Sequence, residues 1–121
     1  MNCRMETAAQ SGTRERRRCV RYEFDARITI NSHDREGEAA IWGRCSDLSE
    51  EGLGATIVGS LNLSEVLSIQ LPLLPHEQPV SLQATVRYQN GFHYGFELLT
   101  MNDAAREALK STCAGLAQGI L

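Results

Sequence analysis

The sequence predicts a mainly β fold: a small, closed or nearly closed barrel of six strands with one α-helix at the C-terminal end. Three observations lead to this prediction. Segments in which apolar and polar residues alternate recur along the chain, and alternation is the pattern of a strand with one buried face. Turn-forming residues separate these segments, as is typical of small barrels. Helical spacing of apolar residues occurs only near the C-terminus.

The first three predicted strands surround a polar segment. They are Phe24–Ile30, Ala39–Ser49 and Leu53–Val58. The polar segment, Asp47–Gly52, therefore lies where the second strand ends and a turn begins. Trp42, on the second strand, is expected to be half-buried.

The last three predicted strands are Glu65–Leu71, Val80–Tyr88 and Phe92–Leu99. The fifth is the clearest, because its apolar and polar residues alternate strictly over nine positions. Between the fifth and sixth strands, Gln89-Asn90-Gly91 predicts a hairpin turn.

A helix is predicted over about residues 102–118. Thr100 or Asn102 can cap its start, and Asp103 complements the positive end of the helix dipole. Its apolar residues share one face, which indicates a lid on one end of the barrel; the alternative is a dimer face or a surface for a partner. These residues are Leu109, Cys113, Leu116 and Ile120.

Length and charge indicate one domain with a basic arm. Residues 14–121 are enough for a single core, whereas residues 1–13 have almost no apolar periodicity and are expected to be disordered. The net charge is −3, yet residues 1–27 hold seven of the twelve basic residues against four acidic ones. A basic arm, residues 14–21, on an acidic body favours a local anion site over a broad nucleic-acid surface.

The cysteines and histidines predict neither a metal site nor catalysis. Cys3, Cys19, Cys45 and Cys113 lack the spacing of zinc ligands. No apolar run is long enough for a signal peptide or membrane helix, so we expect a cytoplasmic protein with reduced thiols, among which Cys45 and Cys113 are core residues. No carboxylate or serine partner is expected for the three histidines, which are His33, His76 and His93.

Two motifs carry the functional prediction. Arg17-x-x-x-Arg21 supplies forked cations that suit a phosphate or the O6/N7 edge of guanine. Asp47-x-Ser49-x-x-Gly52 supplies acceptors for the N1 and N2 hydrogens of guanine, a hydroxyl, and a glycine that permits a positive φ. Each residue of the second motif also has a structural explanation, because Asp47 and Ser49 can cap a turn and Gly52 can be required by a bulge.

These motifs resemble those of the PilZ domain family, bacterial receptors for cyclic di-GMP. Tyr94-Gly95-Phe96-Glu97-Leu98 is similar to the closing strand of the family, and the resemblance covers about residues 14–117. It implies a six-stranded antiparallel β-barrel of split-barrel type with one C-terminal α-helix. Val20 stands where many members have proline.

The resemblance also implies a ligand site. Arg17 and Arg21 would contact guanine and phosphate from an arm that closes over the ligand, while Asp47 and Ser49 would hydrogen-bond a base above Gly52. An arginine at the position of Arg16 goes, in some members, with an intercalated pair of nucleotides. For Trp42, independently of the resemblance, the alternative to a half-buried position is that it flanks the base.

The favoured function is therefore a cytoplasmic cyclic di-GMP receptor that needs no cofactor or metal and signals through contacts with a downstream protein, as a monomer or weak dimer. The alternative is a nucleotide-independent PilZ-like interaction module. Binding of DNA or RNA is disfavoured by the acidic body and by seven aromatic residues that mostly face inward. Membrane insertion is not expected. Catalysis is disfavoured because Asp47, Glu50 and Glu51 form an exposed carboxylate run without a nucleophile or base beside it.

Overall fold

The computed structural model describes residues 20–33, 40–74, 76 and 78–119. The predicted tail, most of the predicted arm, Cys3, Cys19, Ala39 and Ile120 lie outside these residues. Six strands and one helix follow one another along the described chain. They are β1 (Tyr22–Ser32), β2 (Ile41–Leu48), β3 (Gly52–Ile57), β4 (Val66–Leu71), β5 (Val80–Asn90), β6 (His93–Leu98) and α1 (Asp103–Ala117).

The strands form a closed antiparallel barrel in the order β1-β2-β3-β6-β5-β4, which confirms the predicted fold. Closure comes from β1, which pairs with β2 along most of its length and with β4 at its C-terminal end. One turn differs from the prediction. Pairing of β5 with β6 continues to Asn90 and His93, so the hairpin turn is Gly91-Phe92, with a φ of 64° at Gly91. A two-residue turn of this kind favours glycine where φ is positive.

Three bulges interrupt the strand alternation. The register shifts between Glu23 and Ala26 in β1, between Cys45 and Asp47 in β2, and between Val86 and Tyr88 in β5. In each case the bulged strand has one residue more than its partner. Because successive side chains of a strand point to opposite faces, one extra residue moves the following side chain to the other face.

The core fills the barrel and extends under the helix, so the predicted lid is confirmed. Asn102 caps α1 by accepting a hydrogen bond from the Ala105 nitrogen at 2.8 Å. The Thr112 hydroxyl joins the helix to the segment after β4, since it accepts from the Leu74 nitrogen at 2.9 Å. Cys45 and Cys113 are free thiols inside this core, as predicted. The apolar helix residues that pack on the barrel are Ala105, Ala108, Leu109, Cys113 and Leu116.

None of the helical segments among the described residues is long and apolar enough to cross a membrane. In the same part of the chain, no three His, Cys, Asp or Glu side chains lie close enough together to hold a metal ion.

Candidate functional site

The two sequence motifs meet at an ion pair between Arg21 and Asp47. Arg21 lies immediately before β1, and its Nη1 donates a hydrogen bond to Asp47 Oδ1 at 2.6 Å. Two residues after Arg21, Glu23 pairs with Asp47 in the antiparallel ladder of β1 and β2. Both side chains are about three-quarters covered, with 23% and 27% of their surface exposed. Arg16 and Arg17 lie outside the described residues, so the structure locates only the second arginine of the motif.

A bulge directs Asp47 to the outer face of the barrel. Cys45 points into the core, so a regular strand would also bury the side chain of Asp47. Because of the bulge, Asp47 instead pairs with Gly54 and carries its carboxylate over that residue. A Cβ on Gly54 would lie 2.7 Å from Asp47 Oδ2, so the carboxylate occupies the space that a side chain would need.

Ser49 organises the turn between β2 and β3. Its hydroxyl accepts hydrogen bonds from the Glu51 and Gly52 nitrogens, each at 3.1 Å, and donates to the Gly52 carbonyl oxygen at 3.2 Å. The residue is only 3% exposed. Turn capping, one of the two roles considered for Ser49, is therefore observed, and a contact with a base stays a prediction.

Gly52 is required for a different reason from the one predicted. Its φ is not positive; the described glycines with positive φ are Gly59, Gly91 and Gly119. No register shift occurs at Gly52 either, since it pairs with Glu97 in β6. A Cβ at this position would lie 2.4 Å from the Phe96 carbonyl oxygen. Glycine thus allows the start of β3 to approach the backbone of β6.

Sequence reasoning missed two residues of this face, His93 and Tyr88. A Cβ on Gly54 would lie 3.1 Å from His93 Nε2 as well as near Asp47, so the imidazole and the carboxylate share the surface above one glycine. The sequence did not indicate that His93 lies on the same face as Asp47. His33 also has an unexpected partner, the hydroxyl of Ser68 at 3.0 Å.

The ring of Tyr88 occupies the space above the second glycine of this face, Gly95. The strict alternation of β5 predicted an inward side chain, but the bulge before Tyr88 turns it outward, and it is 41% exposed. A Cβ on Gly95 would lie 2.0 Å from the Tyr88 ring. The ring centre is 6.1 Å from that of His93. The pairing of Gly54 with Gly95 could have indicated this face, because two glycines side by side on adjacent strands leave room for large neighbours.

Trp42 is 56% exposed, close to the half-buried state expected for it. Three of the seven aromatic residues, Trp42, Tyr88 and Phe92, face solvent, while the other four pack in or against the core. Trp42 and Asp47 are five residues apart on β2, which is roughly 15 Å at the usual rise of a strand. One base could not contact both.

The face combines a cation, a carboxylate, an imidazole and an aromatic ring around a floor of two glycines. A flat polar ring with an attached anion suits this set, because it could stack on Tyr88 and exchange hydrogen bonds with Asp47 and Arg21. The nearest described thiol, Cys45, is no nucleophile, since burial, together with the charge of Asp47, raises its pKa to about 12.

Comparisons with known proteins agree with the fold. The family model described as PilZ domain matches residues 15–115. The PilZ domain of CeSA from a cellulose-synthesizing bacterium is 17% identical, with a TM-score of 0.64 over 81% of this chain and 98% of that one. The PilZ domain of YcgR from Escherichia coli, solved with c-di-GMP, is 14% identical, with a TM-score of 0.65 over 87% of this chain and 94% of that one.

A third structure, the inhibitor of motility MotI/DgrA from Bacillus subtilis, is 17% identical with a TM-score of 0.67. The match covers 87% of this chain and 53% of that one. The sequence has no match among curated proteins. At these identities the solved structures establish a shared fold.

Proposed function

This chain belongs to the PilZ domain family, and on that premise we propose that it is a cytoplasmic receptor for cyclic di-GMP. One observation carries the proposal: Arg21 and Asp47, one residue from each motif, lie 2.6 Å apart beside an open face floored by Gly54 and Gly95. The two motifs are far apart in sequence, and the barrel brings these two residues together where a planar ligand could lie.

On binding, the ligand would replace the internal ion pair. Arg21 would turn to a phosphate or to the O6/N7 edge of guanine, and Asp47 would accept hydrogens from N1 and N2. Arg17 would bind from the arm, and Arg16 would favour a second, intercalated nucleotide. Ser49 would hold the loop beside the base, with Gly52 keeping β3 against β6.

Ordering of the arm would supply the signal. A segment that becomes ordered with its ligand changes the surface offered to another protein. The receptor would then act on a downstream protein through contacts of the barrel, arm or helix, without chemistry of its own.

A nucleotide-independent interaction module is the second candidate, and two observations favour it. The Ser49 hydroxyl is fully engaged in its own turn, and Arg21 is neutralised by Asp47 without any ligand. The polar groups of these two side chains therefore have partners in the absence of a ligand.

Isothermal titration calorimetry with cyclic di-GMP separates the two candidates, with GTP and cyclic GMP as controls. We expect saturable binding of cyclic di-GMP alone. Two nucleotides bound per chain would agree with the role given to Arg16. No binding heat from a folded sample would remove the receptor function and leave the interaction module.

Variants test the site itself. Arg17→Ala and Arg21→Ala should each nearly abolish binding without unfolding the protein, because each removes charge-assisted contacts worth about 1.5–3 kcal/mol. Arg106→Ala, an exposed arginine of α1, is the matched control and should bind like the parent. Parent-like binding by Arg21→Ala would refute the proposed site.

A further inference from the structure

A second concave surface lies on the outside of β1, β2 and β3, away from Asp47. It is a pocket of about 420 Å³. Trp42 is 56% exposed and Val58 is 81% exposed, so the pocket presents large apolar groups to solvent. The lining residues are Arg27, Trp42, Gly43, Arg44, Thr56 and Val58.

The backbone groups these exposed apolar residues. The Val58 nitrogen donates to the Trp42 carbonyl oxygen at 3.3 Å, which places the two residues side by side across β2 and the end of β3. On the next strand position, the Ile57 nitrogen donates to the carbonyl oxygen of Phe92, whose side chain is 73% exposed. Three solvent-facing apolar residues thus lie together at one end of three adjacent strands, and such grouping is typical of protein-binding sites.

The pocket also has a charge that distinguishes it from the rest of the barrel. The Arg27 guanidinium lies 5.5 Å from the centre of the Trp42 ring, and within the described chain no carboxylate forms an ion pair with it. Arg44, on the other side, is held by Asp25 at 2.7 Å. Residues 28–121 carry eleven acidic against five basic residues, so a free cation beside an apolar ring stands out on an acidic body.

We propose that this pocket docks an acidic segment of the downstream protein, with a large apolar side chain of that segment covering Trp42 and a carboxylate pairing with Arg27. Tryptophan and arginine are the residues on which binding energy concentrates at interfaces. The acidic residues of the body disfavour such a segment over much of the surface, whereas Arg27 attracts it to the pocket. A nucleic acid would need an extended basic surface, and this chain has a net charge of −3. The inference rests on the proposed effector role but not on nucleotide binding.

A random peptide library displayed on phage, selected on the parent protein, tests the proposal. We expect the selected peptides to be enriched in Asp or Glu next to a bulky apolar residue, and to change the fluorescence of Trp42, the single tryptophan of the chain. Labelled peptides should bind Trp42→Ala and Arg27→Gln about tenfold or more weakly than the parent. The matched controls are Leu63→Ala, which removes an apolar side chain that is 63% exposed, and Arg106→Gln.

Three results would overturn the proposal: no peptide selected above background, selected peptides without the acidic and apolar bias, or binding unaffected by Trp42→Ala. A different outcome is that an oligothymidylate quenches the fluorescence of Trp42 saturably at physiological salt and binds more tightly than the selected peptides. That result would assign the pocket to nucleic acid. Calorimetry distinguishes failure of the docking proposal from failure of the receptor proposal. Trp42→Ala should keep cyclic di-GMP binding and lose the peptide, and Arg21→Ala should do the reverse.

Discussion

Gly52 and Gly54 lie two residues apart on β3 and face different kinds of atoms. A Cβ at position 52 would lie 2.4 Å from the Phe96 carbonyl oxygen, which is backbone of the neighbouring strand. A Cβ at position 54 would meet Asp47 Oδ2 and the His93 ring, which are ends of side chains that can rotate away. Gly52 therefore allows two strands of the barrel to approach each other, whereas Gly54 leaves room for the side chains of Asp47 and His93.

We expect Gly52→Ala to lower the free energy of unfolding by about 1–3 kcal/mol, since the backbone of β6 must shift. Gly54→Ala should lower it less, but should displace Asp47 from Arg21 and weaken cyclic di-GMP binding. Urea unfolding measures the first effect and calorimetry the second. Equal losses of stability in the two variants, with ligand binding retained in both, would contradict this assignment.

Tyr88 is predicted to stack on a guanine. Tyr88→Ala should weaken cyclic di-GMP binding by about fivefold or more, because stacking on an aromatic side chain contributes about 1–3 kcal/mol per base. Tyr88→Phe keeps the ring and should bind like the parent. Phe92→Ala removes an aromatic ring that is 73% exposed in the adjacent turn and serves as the control in the same titration. The stacking role fails if Tyr88→Ala retains parent affinity.

At the scale of strands, alternation predicted where the elements lie but not where their side chains point after a bulge. The six strands and the helix were all expected from apolar spacing, with ends that differ by one or two residues in most cases. The bulges before Asp47 and Tyr88 could not be predicted, because the extra residue is defined by pairing with another strand. Asp47 was identified from its motif. Tyr88 belongs to no motif, and the alternation of apolar and polar residues in β5 predicted that its side chain faces the core.

The helix start gives a prediction at the same scale. The Asn102 side chain accepts a hydrogen bond from the Ala105 nitrogen, a donor that the first turn of a helix leaves without a partner. Asn102→Ala should lower the free energy of unfolding by about 1 kcal/mol, and Asn102→Ser, which can also cap, should restore most of it. Urea midpoints of the three proteins measure this. A parent-like midpoint for Asn102→Ala would show that the cap contributes nothing to the docked helix.

At the scale of the whole molecule, both proposed surfaces share β2 and β3. Asp47 and Gly54 lie toward one end of these strands, and Trp42 and Val58 lie toward the other. The core beneath them is continuous, from Leu48 and Leu53 to Ile57. A ligand at one end and a protein at the other could therefore bind the same rigid pair of strands without overlapping, which is the arrangement an effector needs.

The two buried thiols predict how stability of the whole fold depends on pH. Burial is the main cause that raises the pKa of Cys45 and of Cys113 from 9.0 to about 12, with the charges of Asp47 and Glu50 adding to it respectively. The unfolded chain therefore loses these protons first. The stability that the neutral thiols contribute is complete below about pH 9 and is lost as the pH rises through about 12.

We expect the free energy of unfolding in urea to fall more steeply between about pH 9 and pH 11 for the parent than for a Cys45→Ala/Cys113→Ala double variant. All other ionisable groups are the same in the two proteins, so their contributions cancel in the difference between the slopes. The double variant will be less stable at every pH because truncation leaves small cavities, and for that reason the slope is the quantity to compare. Equal slopes would mean that the two thiols reach solvent in the folded protein, and the lid that α1 forms over the barrel would then be looser than its packing indicates.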